Sequence, residues 1–137
     1  CASPDYLSKH GTPRSPEDLS SHRLLHYDGG SGRPLRLVGD DGKARVVRAP
    51  PRVTANNGDF LCEMAAAGLG VCLIPTFIAW QALRAGALVS LLDDYPQPAL
   101  AAWAVYPRNR YLSRRARALI DFLVERFGER PYWDEVS

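Results

Sequence analysis

The sequence has no long hydrophobic run. No apolar stretch approaches the ~20 residues that a membrane-spanning helix requires, and no charged-then-apolar leader is visible, so a membrane is not an expected partner. Cysteine is scarce. Cys1, Cys62 and Cys72 are too few and too scattered for a disulfide framework or a zinc site. Cys62 and Cys72 stand among apolar residues and read as buried free thiols, which suits a reducing, cytoplasmic setting. Charge of one sign is also lacking: 17 basic against 15 acidic groups leave a formal +2, far from the concentrated basic face of a nucleic-acid binder. Neither a G-x-S-x-G elbow nor a G-x-x-x-x-G-K-[ST] phosphate loop is present. Catalytic residues, metal ligands and cofactors are therefore not expected. The only methionine is Met64 and the first residue is Cys1, which predicts a fragment or processed piece of a longer protein.

What is present is an alternation of strand and helix signals. Ser3 followed by Pro4 predicts a short helix over Pro4 to His10, ended by Gly11. Ser15-Pro16-Glu17-Asp18 repeats that start signal. Arg23 to Tyr27 reads as a strand, and a glycine-rich loop follows at Gly29 to Gly32. Leu35 to Val38 and Ala44 to Arg48 flank Gly39-Asp40-Asp41-Gly42, a hairpin signal. Arg52 to Ala55 is a strand, followed by a helix capped at Asn56 or Asn57 and stopped at Gly68. Val71 to Ile74 then reads as a buried strand. Two strands joined by such a helix predict a parallel pair with a right-handed crossover. Further helices are expected over Thr76 to Ala85 and from Ser113 to Gly128, and further strands over Leu88 to Leu92 and Leu100 to Tyr106. Asp93 to Pro98 reads as an extended connection between those strands. In the last helix Ala116, Leu119, Ile120, Leu123, Val124 and Phe127 form an apolar stripe expected to pack in the core. Residues 129–137 read as a tail without regular structure. The sum is an α/β domain with a mixed sheet and flanking helices.

Few constellations carry chemistry. His10 and His22 lie near helix ends, which suits surface or C-terminal capping roles, while His26 alternates with Leu25 and Tyr27 and can face a cleft, although it reads more readily as a packed or solvated histidine. The adjacent carboxylates Asp40-Asp41 and Asp93-Asp94 read as solvated turns. Arg108, Arg110, Arg114, Arg115 and Arg117, interleaved with Tyr106 and Tyr111, read as a solvated helix face more readily than as a single-strand nucleic-acid site. Asn56-Asn57-Gly58 is the best candidate. It opens a helix at a strand's carboxyl end, where backbone N–H groups are unpaired and ligands of open α/β sheets collect. Plain N-capping explains the same residues, and both readings stand at this point.

The order of several motifs resembles the effector-binding domain of LysR-type transcriptional regulators. They are Ala2-Ser3-Pro4-Asp5-Tyr6-Leu7, Gly11-Thr12-Pro13 with Pro16-Glu17-Asp18-Leu19 and His22, Val53-Thr54-Ala55-Asn56-Asn57, Ala66-Ala67-Gly68-Leu69-Gly70-Val71 with Leu73-Ile74-Pro75, Ala104-Val105-Tyr106-Pro107 and the helix from Ala116 to Leu123. The resemblance implies a type 2 periplasmic-binding-protein-like fold, with residues 1–128 as regulatory subdomain II plus a returning strand and helix. It also implies a small-molecule effector held by Asn56, Asn57, Gly58, Thr76 and Phe77, and a homo-oligomer, dimer or tetramer, in the full-length protein. DNA would be bound only through an N-terminal domain outside this chain. The charge and the helix-start site lean toward an anionic or polar effector. Leu35 or Leu37 stands where the family often carries a hairpin tryptophan. A fragment of a periplasmic solute-binding protein is the alternative.

Overall fold

The computed structural model describes residues 1–29, 35–39, 42–47, 49–95, 101–106, 112–128 and 131–134. The chain begins with helix α1 (Pro4–His10). The Ser3 hydroxyl accepts from the Tyr6 N–H at 3.2 Å, and Pro4 needs no partner for an N–H it lacks. A 3-10 helix (Glu17–Ser21) follows and leads into strand β1 (Leu24–Tyr27). Strands β2 (Arg36–Val38) and β3 (Ala44–Val46) form an antiparallel hairpin, with Leu37 opposite Arg45. The hairpin residues Asp40, Asp41 and Arg48 lie outside the described residues. Strand β4 (Val53–Ala55), helix α2 (Gly58–Ala66), strand β5 (Val71–Cys72) and helix α3 (Thr76–Arg84) complete the ordered centre. Helix α4 (Arg114–Phe127), capped by Ser113, and a 3-10 turn at Tyr132–Asp134 follow.

The main sheet has the order β4-β1-β5, all parallel. The expected pair β4 and β5 is thus parallel but not adjacent. The pairing partner of both is β1, a strand from elsewhere in the chain, and local sequence carries no signal for that insertion. Beyond β5, Cys1 exchanges backbone hydrogen bonds with Cys72 (2.8 and 2.9 Å), and Ala2 bridges Val89 in antiparallel sense. An antiparallel edge is thereby added to the parallel strands. Two cores result, because neighbouring residues of a strand face opposite ways. Leu24 and Val71 join Ala2, Tyr6, Leu19, Leu37 and Val47 on the face covered by α1 and the hairpin. Leu25 and Cys72 join Leu61, Cys62, Ala65 and Leu88 beneath α2 and α3.

Three expectations require correction. Leu88 to Leu92 is not a strand. After the single bridge at Val89 the chain enters a turn, with the Ser90 hydroxyl on Asp93 and Leu92 in the left-handed region at φ 59°. Residues 101–106 also form no ladder, and Trp103 (83% exposed) and Val105 (92%) project into solvent. Alternation favours a strand only where an edge is available to pair with it; Leu100 itself lies outside the described residues. Helix α4 forms as expected, but none of its residues is buried, so Ile120 and its stripe do not belong to the core of this chain. Within the basic cluster, Arg108, Arg110 and Tyr111 are outside the described residues, as are Gly30 to Gly32 and Pro96 to Pro98.

Tyr6 ties α1 to β1. Its hydroxyl accepts from the Arg23 N–H at 2.9 Å and hydrogen-bonds His22 Nδ1 at 3.2 Å, where a neutral imidazole with its proton on Nε2 can accept the phenol proton. His10 stacks on the Tyr6 ring (centroids 4.2 Å apart) while its Nδ1 bonds the Tyr6 carbonyl at 3.0 Å, the C-terminal capping its position suggested. Burial first, then His10, holds the His22 pKa below its ordinary 6.5 against an opposing pull from Asp18. Unfolding returns His22 to its ordinary value, so the unfolded chain binds more protons as pH drops below 6.5. Stability present above that pH is therefore lost as pH falls through the folded-state value. Asp18, held low chiefly by the Arg14 N–H, titrates in a lower window.

Two outcomes follow from these contacts. Melting temperature should fall between about pH 7.5 and pH 5.5, and His22→Gln, which keeps an acceptor for Tyr6, should flatten that region of the profile. Gly70 is a second test. A Cβ there would sit 2.2 Å from the Arg23 carbonyl oxygen, so Gly70→Ala must push β5 from β1. Denaturant unfolding should show a loss of roughly 2 kcal/mol.

Candidate functional site

Strand β4 ends at Ala55, and α2 starts three residues on at Gly58. Strand β5 ends at Cys72, and α3 starts at Thr76. Both strands run parallel to β1, so both helices begin at the carboxyl edge of one sheet. The two starts also touch. A Cβ on Gly58 would lie 2.5 Å from Ile78 Cδ1, the tip of a side chain, so the bare glycine lets Ile78 of α3 rest directly on the start of α2. Gly58 is buried at that contact, whereas Asn56, Asn57, Thr76 and Phe77 around it are exposed. All five residues singled out in the sequence therefore gather in one region.

Their side chains are partly committed. Asn57 Oδ1 accepts from the Phe60 N–H at 3.1 Å, so the capping role is real. Among the described residues the amide NH2 of Asn57 is left as a donor for a carbonyl or carboxylate. Thr76 donates its hydroxyl to the Asp134 carboxylate, 58 positions along the chain. That contact was not expected, because residues 129–137 carry no periodic signal. Yet Tyr132 meets Trp80 edge-on at 5.3 Å, and Arg126 lies over the Tyr132 ring at 4.7 Å. Trp133 meets Phe127 at 5.4 Å. The run Pro131-Tyr132-Trp133 was the available clue, since adjacent aromatics seldom stay in water.

A cavity of about 620 Å³ lies elsewhere, between the sheet and the hairpin. Leu37, Val47, Leu92 and Tyr95 supply apolar walls, and His26 and Thr54 supply polar ones. His26 thus lines a concavity, the less favoured of the two readings of its place on β1. The five helix-start residues do not line it. Among the described residues no group of three or more His, Cys, Asp or Glu side chains is arranged to hold a metal, and no helix is long and apolar enough to cross a membrane.

Known proteins give this arrangement a context. Residues 1–128 match the family model described as the LysR substrate binding domain. The HTH-type transcriptional regulator YhjC of Escherichia coli strain K12 is 36% identical over 125 residues, covering 90% of this chain and 42% of that relative. The HTH-type transcriptional regulator CrgA of Neisseria meningitidis serogroup C is 32% identical over 129 residues, covering 93% of this chain and 42% of the relative. The chain therefore spans less than half the length of these relatives, which are regulators rather than enzymes. Among solved structures, the CrgA regulatory domain superposes with a TM-score of 0.73 at 32% identity, covering 93% of this chain and 63% of that one. The AphB regulatory domain of Vibrio vulnificus gives 0.71 at 26% identity, covering 90% and 61%. These regulatory domains have the periplasmic-binding-protein-like fold. With residues 1–128 matched and the fold shared, the chain belongs to the family of LysR substrate-binding domains, the effector-binding region of LysR-type transcriptional regulators.

Proposed function

We propose that the adjoining starts of α2 and α3 form a wall of an effector cleft, and that residues 1–128 are regulatory subdomain II plus a segment returning to a first subdomain. The observation that carries this reading is the convergence of Asn56, Asn57, Gly58, Thr76 and Phe77 through the Gly58–Ile78 contact. N–H groups without an intrahelical partner at two helix starts, together with the Asn57 amide, favour a small anionic or polar effector, whereas the Thr76 hydroxyl is committed to Asp134. Phe77, 52% exposed, offers it an apolar surface. The exposed stripe of α4, together with Trp103 and Val105, supports a first subdomain as the missing cover. Effector binding would change the relation of the two subdomains, and with it the spacing of DNA-binding domains in a cytoplasmic dimer or tetramer. DNA would be engaged only by an N-terminal domain outside these residues.

Asn57→Asp separates capping from binding. It keeps an acceptor for the Phe60 N–H, so stability should stay within about 0.5 kcal/mol, but it puts a carboxylate where an anion would dock. In the full-length regulator, DNA binding should persist, and the thermal shift given by responsive compounds in a screen of small carboxylates should vanish. An undiminished shift removes Asn57 from the site. For the returning segment, Ile120→Asp in the full-length protein should cost several kcal/mol, as for an unpaired buried charge. Glu125→Lys on the opposite face should cost about 0.5 kcal/mol or less. Equal effects would mean that the stripe stays in solvent.

A further inference from the structure

The three cysteines are not scattered in space. Cys1 and Cys72, 71 positions apart, hold their Sγ atoms 3.5 Å from each other. Their backbones are joined in both directions, Cys1 N to the Cys72 carbonyl at 2.8 Å and the Cys72 N–H to the Cys1 carbonyl at 2.9 Å. That exchange marks an antiparallel hydrogen-bonded pair, whose Cα atoms lie about 5.5 Å apart, within the range a disulfide spans. Side-chain rotation alone can close the remaining gap to a bond of about 2.05 Å. We propose that Cys1 and Cys72 are a peroxide-sensitive thiol pair that oxidises to a disulfide.

The environments of the three thiols differ. Cys1 is partly exposed, whereas Cys62 and Cys72 are buried. Burial pushes the Cys62 and Cys72 thiols up and keeps them protonated. Cys1 is therefore the thiol that meets the oxidant. Its thiolate attacks the O–O bond of a hydroperoxide, giving a sulfenic acid on Cys1 and releasing the alcohol, or water from hydrogen peroxide. The Cys72 sulfur then attacks the Cys1 sulfur. The S–S bond forms, and the sulfenic hydroxyl leaves as water with the Cys72 proton. Two thiols lose two electrons and two protons, and the peroxide is reduced by the same amount.

The bond would fasten the segment leading to α1 onto β5, the strand that delivers α3. By the two-subdomain reading proposed above, on which this consequence rests, the segment Ser3-Pro4 lies near the crossover between subdomains, and oxidation would lock that hinge beside the effector wall. The bond itself is independent of that reading.

The test is peptide mapping of the full-length protein after hydrogen peroxide and alkylation. Cys62 and Cys72 share the stretch between Arg52 and Arg84, so trypsin must be combined with cleavage after Glu63 to separate them. The expected product is a crosslinked pair of Cys1 and Cys72 peptides, lighter by two hydrogens and released by dithiothreitol. It should persist in Cys62→Ser and disappear in Cys72→Ala, where Cys1 should instead proceed to the sulfinic acid. A Cys62–Cys72 crosslink, or Cys1 and Cys72 still alkylated as separate thiols after exposure, overturns the proposal. A crosslink that leaves the effector response unchanged would count against the hinge consequence alone.

Discussion

Everything in this chain hangs on β1 being hydrogen-bonded on both sides. The Val71 N–H bonds the Arg23 carbonyl and the Arg52 N–H bonds the Leu24 carbonyl, each at 2.8 Å. With β1 in the middle, β4 and β5 must both run parallel to it, and the helices that follow them must both start at the same edge. Gly70 is the steric condition for that arrangement, since any side chain there would strike the backbone of β1. Gly58 makes a softer contact in the helix layer, where it meets the end of the Ile78 side chain and not backbone. The candidate site is thus a consequence of sheet order, not of any single motif.

The two faces of the sheet are finished differently. Beneath α2 and α3 the packing is apolar and close, with Leu61 and Ala65 wholly buried. On the other face the buried hydroxyl of Tyr6 carries two hydrogen bonds, and the hairpin stands off far enough to leave a cavity. A polar contact at that depth is stabilising only while all its partners are in the right protonation state. This makes the α1 side sensitive to the protonation of His22.

Features encoded within a few residues were legible in the sequence. Ser3-Pro4, Asn57 and Ser113 cap the helices they were expected to cap, and Gly68 takes the left-handed position after α2 at φ 78°. The gathering of Asn56 to Gly58 with Thr76 and Phe77 was legible only through resemblance, because spacing alone does not say that two helix starts share an edge. Contacts between distant positions left no local trace. They include β1 inserted between β4 and β5, Tyr6 on His22, Thr76 on Asp134, and Cys1 beside Cys72. Leu88 to Leu92 has the composition of a strand but turns at Leu92. The apolar period of α4 is real, yet a period states which side seeks cover and not what provides it.

That uncovered side has a colloidal consequence. Phe122, Val124 and Leu119 on α4 are each more than half exposed, and Trp103 and Val105 add to the apolar surface of the chain. A formal charge of +2 supplies little mutual repulsion between copies. Separated from whatever covers this surface, the polypeptide would be kept in solution more by dilution than by its own chemistry. Its tendency to associate is then a direct gauge of how much of the surface a neighbouring domain conceals.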